Sequence, residues 1–318
     1  YQGGLWGGVW IISLLTDLCN GKFDGANLVG NFENLNPGNT WWTKQYNVWT
    51  HVDTEAERYL NFERWWNGYF FMTAEEIHFI VGNLFIANKL EKGKLELGGG
   101  RKIDLKNLDD PVLVFASKGD NITPPQQALN WIAKVYGSVE EIKRRQQSVI
   151  YMVHEKIGHL GIFVSGSVAR KEHNQIIRSI DMLDFLPPGL YEMRIEEKKE
   201  AIGGLMDYDV RFVERDISDI MALDDGREDE SPFIAVERIS EINDSLYAAF
   251  ARPWIRAWSN PLTADMMLWT HPLRFSRYAY SDRNPFMWTY KSLVPLVREN
   301  RRPADPANPF AAMEKAVS

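Results

Sequence analysis

The sequence predicts an α/β fold, and three observations carry that prediction. Two apolar runs, Pro111-Val-Leu-Val-Phe-Ala-Ser and Ser148-Val-Ile-Tyr-Met-Val-His154, have the length and β-branched content of buried strands. Amphipathic segments follow each run, the first opened by Pro124-Pro125, so strand and helix alternate. Each strand also leads into a residue able to do proton chemistry: Asp120 closes the first strand's carboxyl end, and His159 lies in the loop that trails the second, between Gly158 and Leu160-Gly161.

Taken in order, residues 1 to about 107 read as mostly helical and aromatic. Trp41, Trp42, Tyr46, Trp49, Tyr59, Phe62, Trp65, Trp66, Tyr69, Phe70 and Phe71 fall in one stretch. Thr73 and Glu76 form a capping box ahead of a helically spaced apolar segment, and Lys94 to Leu105, with Gly98-Gly-Gly100 at its centre, reads as a hairpin. The aromatic stretch suits a lid lining an acyl pocket, or simply the core of a helical subdomain. Residues 108–188 form the strand, helix, strand, helix unit, with helices at Gln126–Tyr136 and Ser138–Gln146 and a helical run from His159 through Asn174 to about Leu186. Leu186-Pro-Pro-Gly189 signals a boundary. Residues 189–318 open with two β-like segments, continue through the acidic tract 224–230, and end in helices at about 233–258, 262–270 and 285–299, with aromatic and proline clusters after His271 and Ser281 as turns.

Asp120 and His159 are the candidate catalytic residues. An imidazole titrates near neutrality and can carry a proton from a nucleophile to a leaving group, while a buried carboxylate on its other nitrogen fixes the tautomer. Their order, acid before histidine at the ends of neighbouring strands, is that of α/β-hydrolases. The plainer reading makes Asp120 a helix cap and His159 a turn residue. No Gly-x-Ser-x-Gly or Gly-x-Cys-x-Gly occurs in the 318 residues; Asp17-Leu-Cys19-Asn-Gly21 is half a match, and Cys19 reads as a buried or helix-end thiol. His154 and His159 are five apart, on different faces of any helix, so no metal site is expected, and no dinucleotide or phosphate fingerprint implies a cofactor. His51, His78, His173 and His271 are isolated.

A net charge of −7 argues against a nucleic-acid binder, and 45% hydrophobic residues provide a substantial core. The single cysteine excludes an internal disulfide and suits a reducing compartment, so a cytoplasmic location is expected. No segment reaches membrane-spanning length, and a chain opening on Tyr1 reads as a fragment lacking its amino-terminal part.

Arg64-Trp-Trp-Asn-Gly, Asn83-Leu-Phe-Ile-Ala-Asn88-Lys-Leu, Ile103-Asp-Leu, Gly119-Asp-Asn-Ile-Thr-Pro and Gly158-His-Leu-Gly161 together are similar to the carboxyl half of polyhydroxyalkanoate synthases over about residues 1–170. Over nearly the whole chain, including Pro124-Pro-Gln-Gln-Ala128 and Leu186-Pro-Pro-Gly-Leu-Tyr191, the sequence resembles their bacterial relatives, a domain-of-unknown-function family of hydroxyalkanoate synthetase-like α/β-hydrolases. The resemblance implies the carboxyl-terminal part of an α/β-hydrolase fold with a helical aromatic lid or cap and a mostly helical carboxyl-terminal extension. It implies Asp120 as acid, His159 as general base, and a Cys or Ser nucleophile before residue 1. Two departures stand out: Asp120-Asn121 replaces the synthases' Asp-His pair, and Phe163-Val-Ser-Gly-Ser replaces their proline-rich segment after the histidine. The expected activity is acyl transfer from a hydroxyacyl thioester or ester; the alternatives are an esterase or thioesterase, and a non-catalytic scaffold binding granules or partners. Homo-oligomerisation and granule association are the partner modes left open.

Overall fold

A computed structural model describes residues 7–159, 161–197, 208–224, 233–303, 305 and 307–317. The chain divides into two units, Phe79–Ser240 and Trp6–His78 with Glu241–Ser318.

The first of these is built on a four-stranded sheet. Its strands are β1 (Val112–Ser117), β2 (Ser148–His154), β3 (Gly189–Glu197) and β4 (Tyr208–Glu214), adjacent in that order. β1 and β2 run parallel with Val112 opposite Val149 and Ser117 opposite His154. β3 is parallel to β2, and β4 returns antiparallel. The apolar runs make these strands because the sheet is covered on both faces, which removes the need for polar alternation. Val149, Tyr151 and Leu190 pack on one side under helices α1 (Pro125–Tyr136) and α2 (Val139–Arg144), through Leu129, Ile132 and Ile142. Ile150, Met152 and Met193 pack on the other, with Leu183. Gly137 ends α1 at φ +74°, a left-handed conformation that glycine adopts without penalty, and Ser138 caps α2 by accepting from the Glu141 N–H at 3.3 Å. The ribbon Leu95–Leu97 with Arg101–Ile103 lies where the sequence places a hairpin.

Three expectations need correction. The boundary at Leu186-Pro-Pro-Gly189 is a turn inside the unit: the strand begins one residue past the prolines, the Gly189 N–H donates to Gln147 O at 2.9 Å, and β3 joins the sheet beside β2. The prolines therefore stop a helix without stopping the core, and residues 189–197 and 208–214 belong to the same sheet as 112–154. The helical run after His159 is broken into short turns, Gly161–Val164, Gly166–Val168, a π turn Ala169–His173, Asn174–Arg178 and Ile180–Leu183. Gly161, Ser165, Gly166 and Ser179 account for the interruptions, since glycine and serine favour breaks and caps over helix interiors. His271-Pro-Leu-Arg-Phe is the start of a helix, Pro272–Ala279, rather than a turn: His271 Nδ1 accepts from the Leu273 N–H at 3.3 Å.

The second unit is helical. Buried carboxylates tie its sequence-distant parts: Asp17 accepts from Tyr247 Oη (3.0 Å), Arg252 Nε (2.9 Å) and Arg256 Nε (2.8 Å), and Asp24 from Arg274 Nε (2.8 Å) and Nη2 (2.7 Å). Gly25 lets the Phe70 carbonyl approach so closely that a β-carbon would sit 2.6 Å from it. The aromatic stretch is not a closed core. Phe62 and Trp66 stack at 5.9 Å, while Trp41 and Trp49 are exposed because successive aromatics fall on different helix faces, and Phe70 is exposed in the loop after the helix. Among the described residues, no helix is long and apolar enough to cross a membrane.

Candidate active site

The loops after β1 and β2 are stitched together before any candidate side chain is reached. The Lys118 N–H donates to His154 O at 2.8 Å, and Ser117 Oγ donates to Ile157 O at 2.6 Å. Gly119 permits the approach: a β-carbon there would lie 2.5 Å from the Lys156 carbonyl carbon. This contact sets Asp120 against the loop carrying His159.

Asp120 is 8% exposed and its two oxygens have separate tasks. Oδ1 accepts the Ile122 N–H (2.8 Å) and the Thr123 N–H (2.9 Å), which winds residues 120–123 into a turn ahead of α1. Oδ2 accepts the Thr123 hydroxyl (2.7 Å) and faces His159 Nδ1 at 3.0 Å. One oxygen therefore closes the turn ahead of α1 while the other meets the imidazole. Burial pushes this carboxyl up, and donors from Thr123, Ile122 and His159 more than offset it, holding it below the usual carboxylate range.

The His159 side chain is 29% exposed, so the ring is held at its carboxylate side and open to approach. Nδ1 faces Asp120 Oδ2 and, at 3.1 Å, Thr123 Oγ1. An ionised carboxylate only accepts, so Nδ1 carries the hydrogen and Nε2 is the basic nitrogen. That is the tautomer a general base requires.

The remaining candidates fall elsewhere. Cys19 is buried beyond the end of a helix in the other unit; burial first, then the Asp24 charge, pushes its thiol up, with Arg274 opposing, which is the reverse of an activated nucleophile. His154 has other partners: its Nδ1 accepts from the Lys156 N–H at 3.1 Å and its Nε2 lies 3.6 Å from Glu172. Among the described residues, no group of three His, Cys, Asp or Glu could hold a metal. His51 hydrogen-bonds within its own turn, His173 lies on the π turn, and His271 is a cap. His78 lies in the helical unit, with Nδ1 2.6 Å from Ala74 O and Nε2 2.8 Å from Ser13 Oγ, which in turn donates to Asp244 Oδ1 at 2.8 Å.

Thr123 is the participant that sequence reasoning missed. Its signal was present as Asp-x-x-Thr, an acid followed three residues later by a hydroxyl, a spacing that closes side-chain to backbone turns.

Comparison with known proteins places the chain in a family. The family described as "Protein of unknown function (DUF3141)" matches residues 1–318. The chain belongs to the DUF3141 family. The chain is similar to the "Uncharacterized protein in ackA 5'region" of Rhizobium meliloti, 48% identical over 325 residues, covering 100% of this chain and 44% of that protein. The chain is also similar to the "Poly(3-hydroxyalkanoate) polymerase" of Methylorubrum extorquens, 29% identical over 123 residues, 39% of this chain and 20% of the polymerase. The chain thus spans less than half the length of either curated relative. No solved structure gives a significant match.

Proposed function

We propose that this DUF3141 protein is an acyl-transfer enzyme of the α/β-hydrolase class, acting on hydroxyacyl thioesters or esters. The observation that carries the reading is the 3.0 Å contact between His159 Nδ1 and Asp120 Oδ2, at the carboxyl ends of two parallel neighbouring strands. The partial similarity to a poly(3-hydroxyalkanoate) polymerase supports the substrate class. Strand order β1-β2-β3, with acid and base on adjacent loops, supports the fold.

In this reading the nucleophile is a Cys or Ser in sequence preceding Tyr1, and the greater length of the Rhizobium relative has room for it. His159 Nε2 takes the proton of that thiol or hydroxyl as its sulfur or oxygen attacks the acyl carbonyl carbon. The tetrahedral intermediate collapses by breaking the bond to the leaving thiol or alcohol, which receives the proton from Nε2. A second attack, by the hydroxyl of a growing hydroxyacyl chain or by water, passes its proton through the same nitrogen and releases the nucleophile. Asp120 stays ionised throughout and stabilises the imidazolium.

The test incubates the full-length protein with a series of hydroxyacyl thioesters and separates the products by size. Polymer identifies a synthase and free acid a thioesterase, either of them supporting acyl transfer. Failure to consume any thioester or ester would contradict the proposal.

A further inference from the structure

We propose that Thr123 is a positioning residue for the His159 and Asp120 pair, its hydroxyl acting as a wedge that sets the plane of the carboxylate and the face of the imidazole together. The inference rests on the reading of those two residues as base and orienter, and it adds a third residue to them. A threonine hydroxyl has one hydrogen and two lone pairs. With an ionised carboxylate oxygen 2.7 Å away that can only accept, the hydrogen lies on the line to Asp120 Oδ2. The lone pairs are then the part of Oγ1 that meets His159 Nδ1 at 3.1 Å. The ring N–H is thus shared between two acceptors, Oδ2 and Oγ1, and the proton cannot move to Nε2 without losing both contacts.

Thr123 also grips the other carboxylate oxygen through its main chain, because its N–H donates to Asp120 Oδ1 at 2.9 Å. One residue therefore holds both oxygens from two directions, which leaves the carboxylate little freedom to rotate. Two local features keep this grip rigid. A β-branched side chain has a restricted χ1, and a residue before proline, here Pro124, is disfavoured in the helical region of backbone space. Serine would supply the hydroxyl with a looser rotamer; valine would supply the shape with no hydroxyl. That pair of substitutions separates the contact from the packing.

In the full chain carrying its nucleophile, Thr123→Val is expected to lower kcat about tenfold, equivalent to about 1.4 kcal/mol, with KM within about twofold of wild type. Thr123→Ser is expected to recover kcat to within about threefold. Independently of turnover, 15N-histidine NMR is expected to show a slowly exchanging Nδ1–H on His159 in the wild-type and Ser proteins, and faster exchange in the Val protein. If the Val protein does not fold, Thr123→Ala against Thr123→Ser carries the same comparison. A Val protein with wild-type kcat and a protected Nδ1–H would overturn the role of Thr123. Full activity in His159→Ala would instead overturn the base assignment, and the exchange measurement would still decide whether Thr123 holds the ring.

Discussion

Among the described residues, two constellations of an imidazole, a hydroxyl and a carboxylate, one in each unit, differ in how the carboxylate meets the ring. In the sheet-based unit, His159 gives Nδ1 to Asp120 and Thr123, and the ring stands 29% exposed. In the helical unit, His78 gives Nδ1 to the Ala74 carbonyl and Nε2 to Ser13, a hydroxyl only 2% exposed that passes its own hydrogen to Asp244. The same three residue types therefore make a carboxylate-bound imidazole, the proposed base, in one place and a hydroxyl-bridged imidazole in the other. Composition does not separate them. What does is whether the carboxylate binds the ring directly or only through a hydroxyl.

Substituting the two histidines is expected to produce the largest contrast. In the full-length protein, His159→Ala should lower turnover of a hydroxyacyl thioester about 10^5-fold with folding intact, since removing the base alone disables a triad acting as a unit. His78→Ala should leave turnover within about threefold and lower the melting temperature instead. Steady-state kinetics with thermal melts on both variants decides it, and a strong kinetic defect in the His78 variant would erase the distinction drawn between the two sites.

Next in size is Gly119→Ala. The added β-carbon meets Lys156 main chain, which cannot swing aside as a side chain would, so the loops of Asp120 and His159 must separate. A stability loss of about 1–3 kcal/mol is expected in denaturant unfolding, with a fall in kcat larger than that loss explains. Wild-type unfolding and kcat together would show that the loops are not held as described.

Ser13→Ala should act on stability alone, by about 1–2 kcal/mol, because it removes a buried hydroxyl that a partly buried carboxylate and an imidazole nitrogen share. Unchanged unfolding would mean that the hydroxyl bridge contributes nothing.

The smallest effect expected is a pH dependence. The Asp120 carboxyl is held below its usual range, so folding favours its ionised form: its contribution is complete above the unfolded pKa of about 3.9 and disappears as pH falls through the lower folded value. The stability gap between wild type and Asp120→Asn should therefore be present at pH 7 and narrow below about pH 4. A gap independent of pH would mean that Asp120 contributes through shape rather than charge.

How much of this was legible in the sequence follows from the range of the interactions. β1 and β2 were readable because buried parallel strands need continuous apolar residues, which Val112–Ala116 and Val149–Val153 supply. The Thr73 and Glu76 capping box was readable because both partners are local: the Thr73 N–H donates to Glu76 Oε2 at 2.8 Å and the Glu76 N–H to Thr73 Oγ1 at 3.2 Å. The geometric meeting of Asp120 with His159 could be anticipated only through the chain order of a known architecture, because nothing local to either residue specifies it. β3 was separated from its sheet because Pro187-Pro188 carries a strong local stop signal, while the pairing that overrides it, Ser148 opposite Gly189, is long-range. The hydroxyl bridge at His78 was invisible for the same reason, Ser13 and Asp244 being 231 residues apart. Thr123 was passed over because a threonine beside a proline reads as turn chemistry, and only coordinates show its hydroxyl reaching a histidine.

Asp120→Asn in the full-length protein tests most directly whether the Asp120 carboxylate orients His159 as a base. The amide can occupy the same space but can present a donor where the ring N–H needs an acceptor, so kcat on a hydroxyacyl thioester should fall about 10^4-fold while the protein remains folded. A folded Asp120→Asn protein turning over within about threefold of wild type would contradict the account.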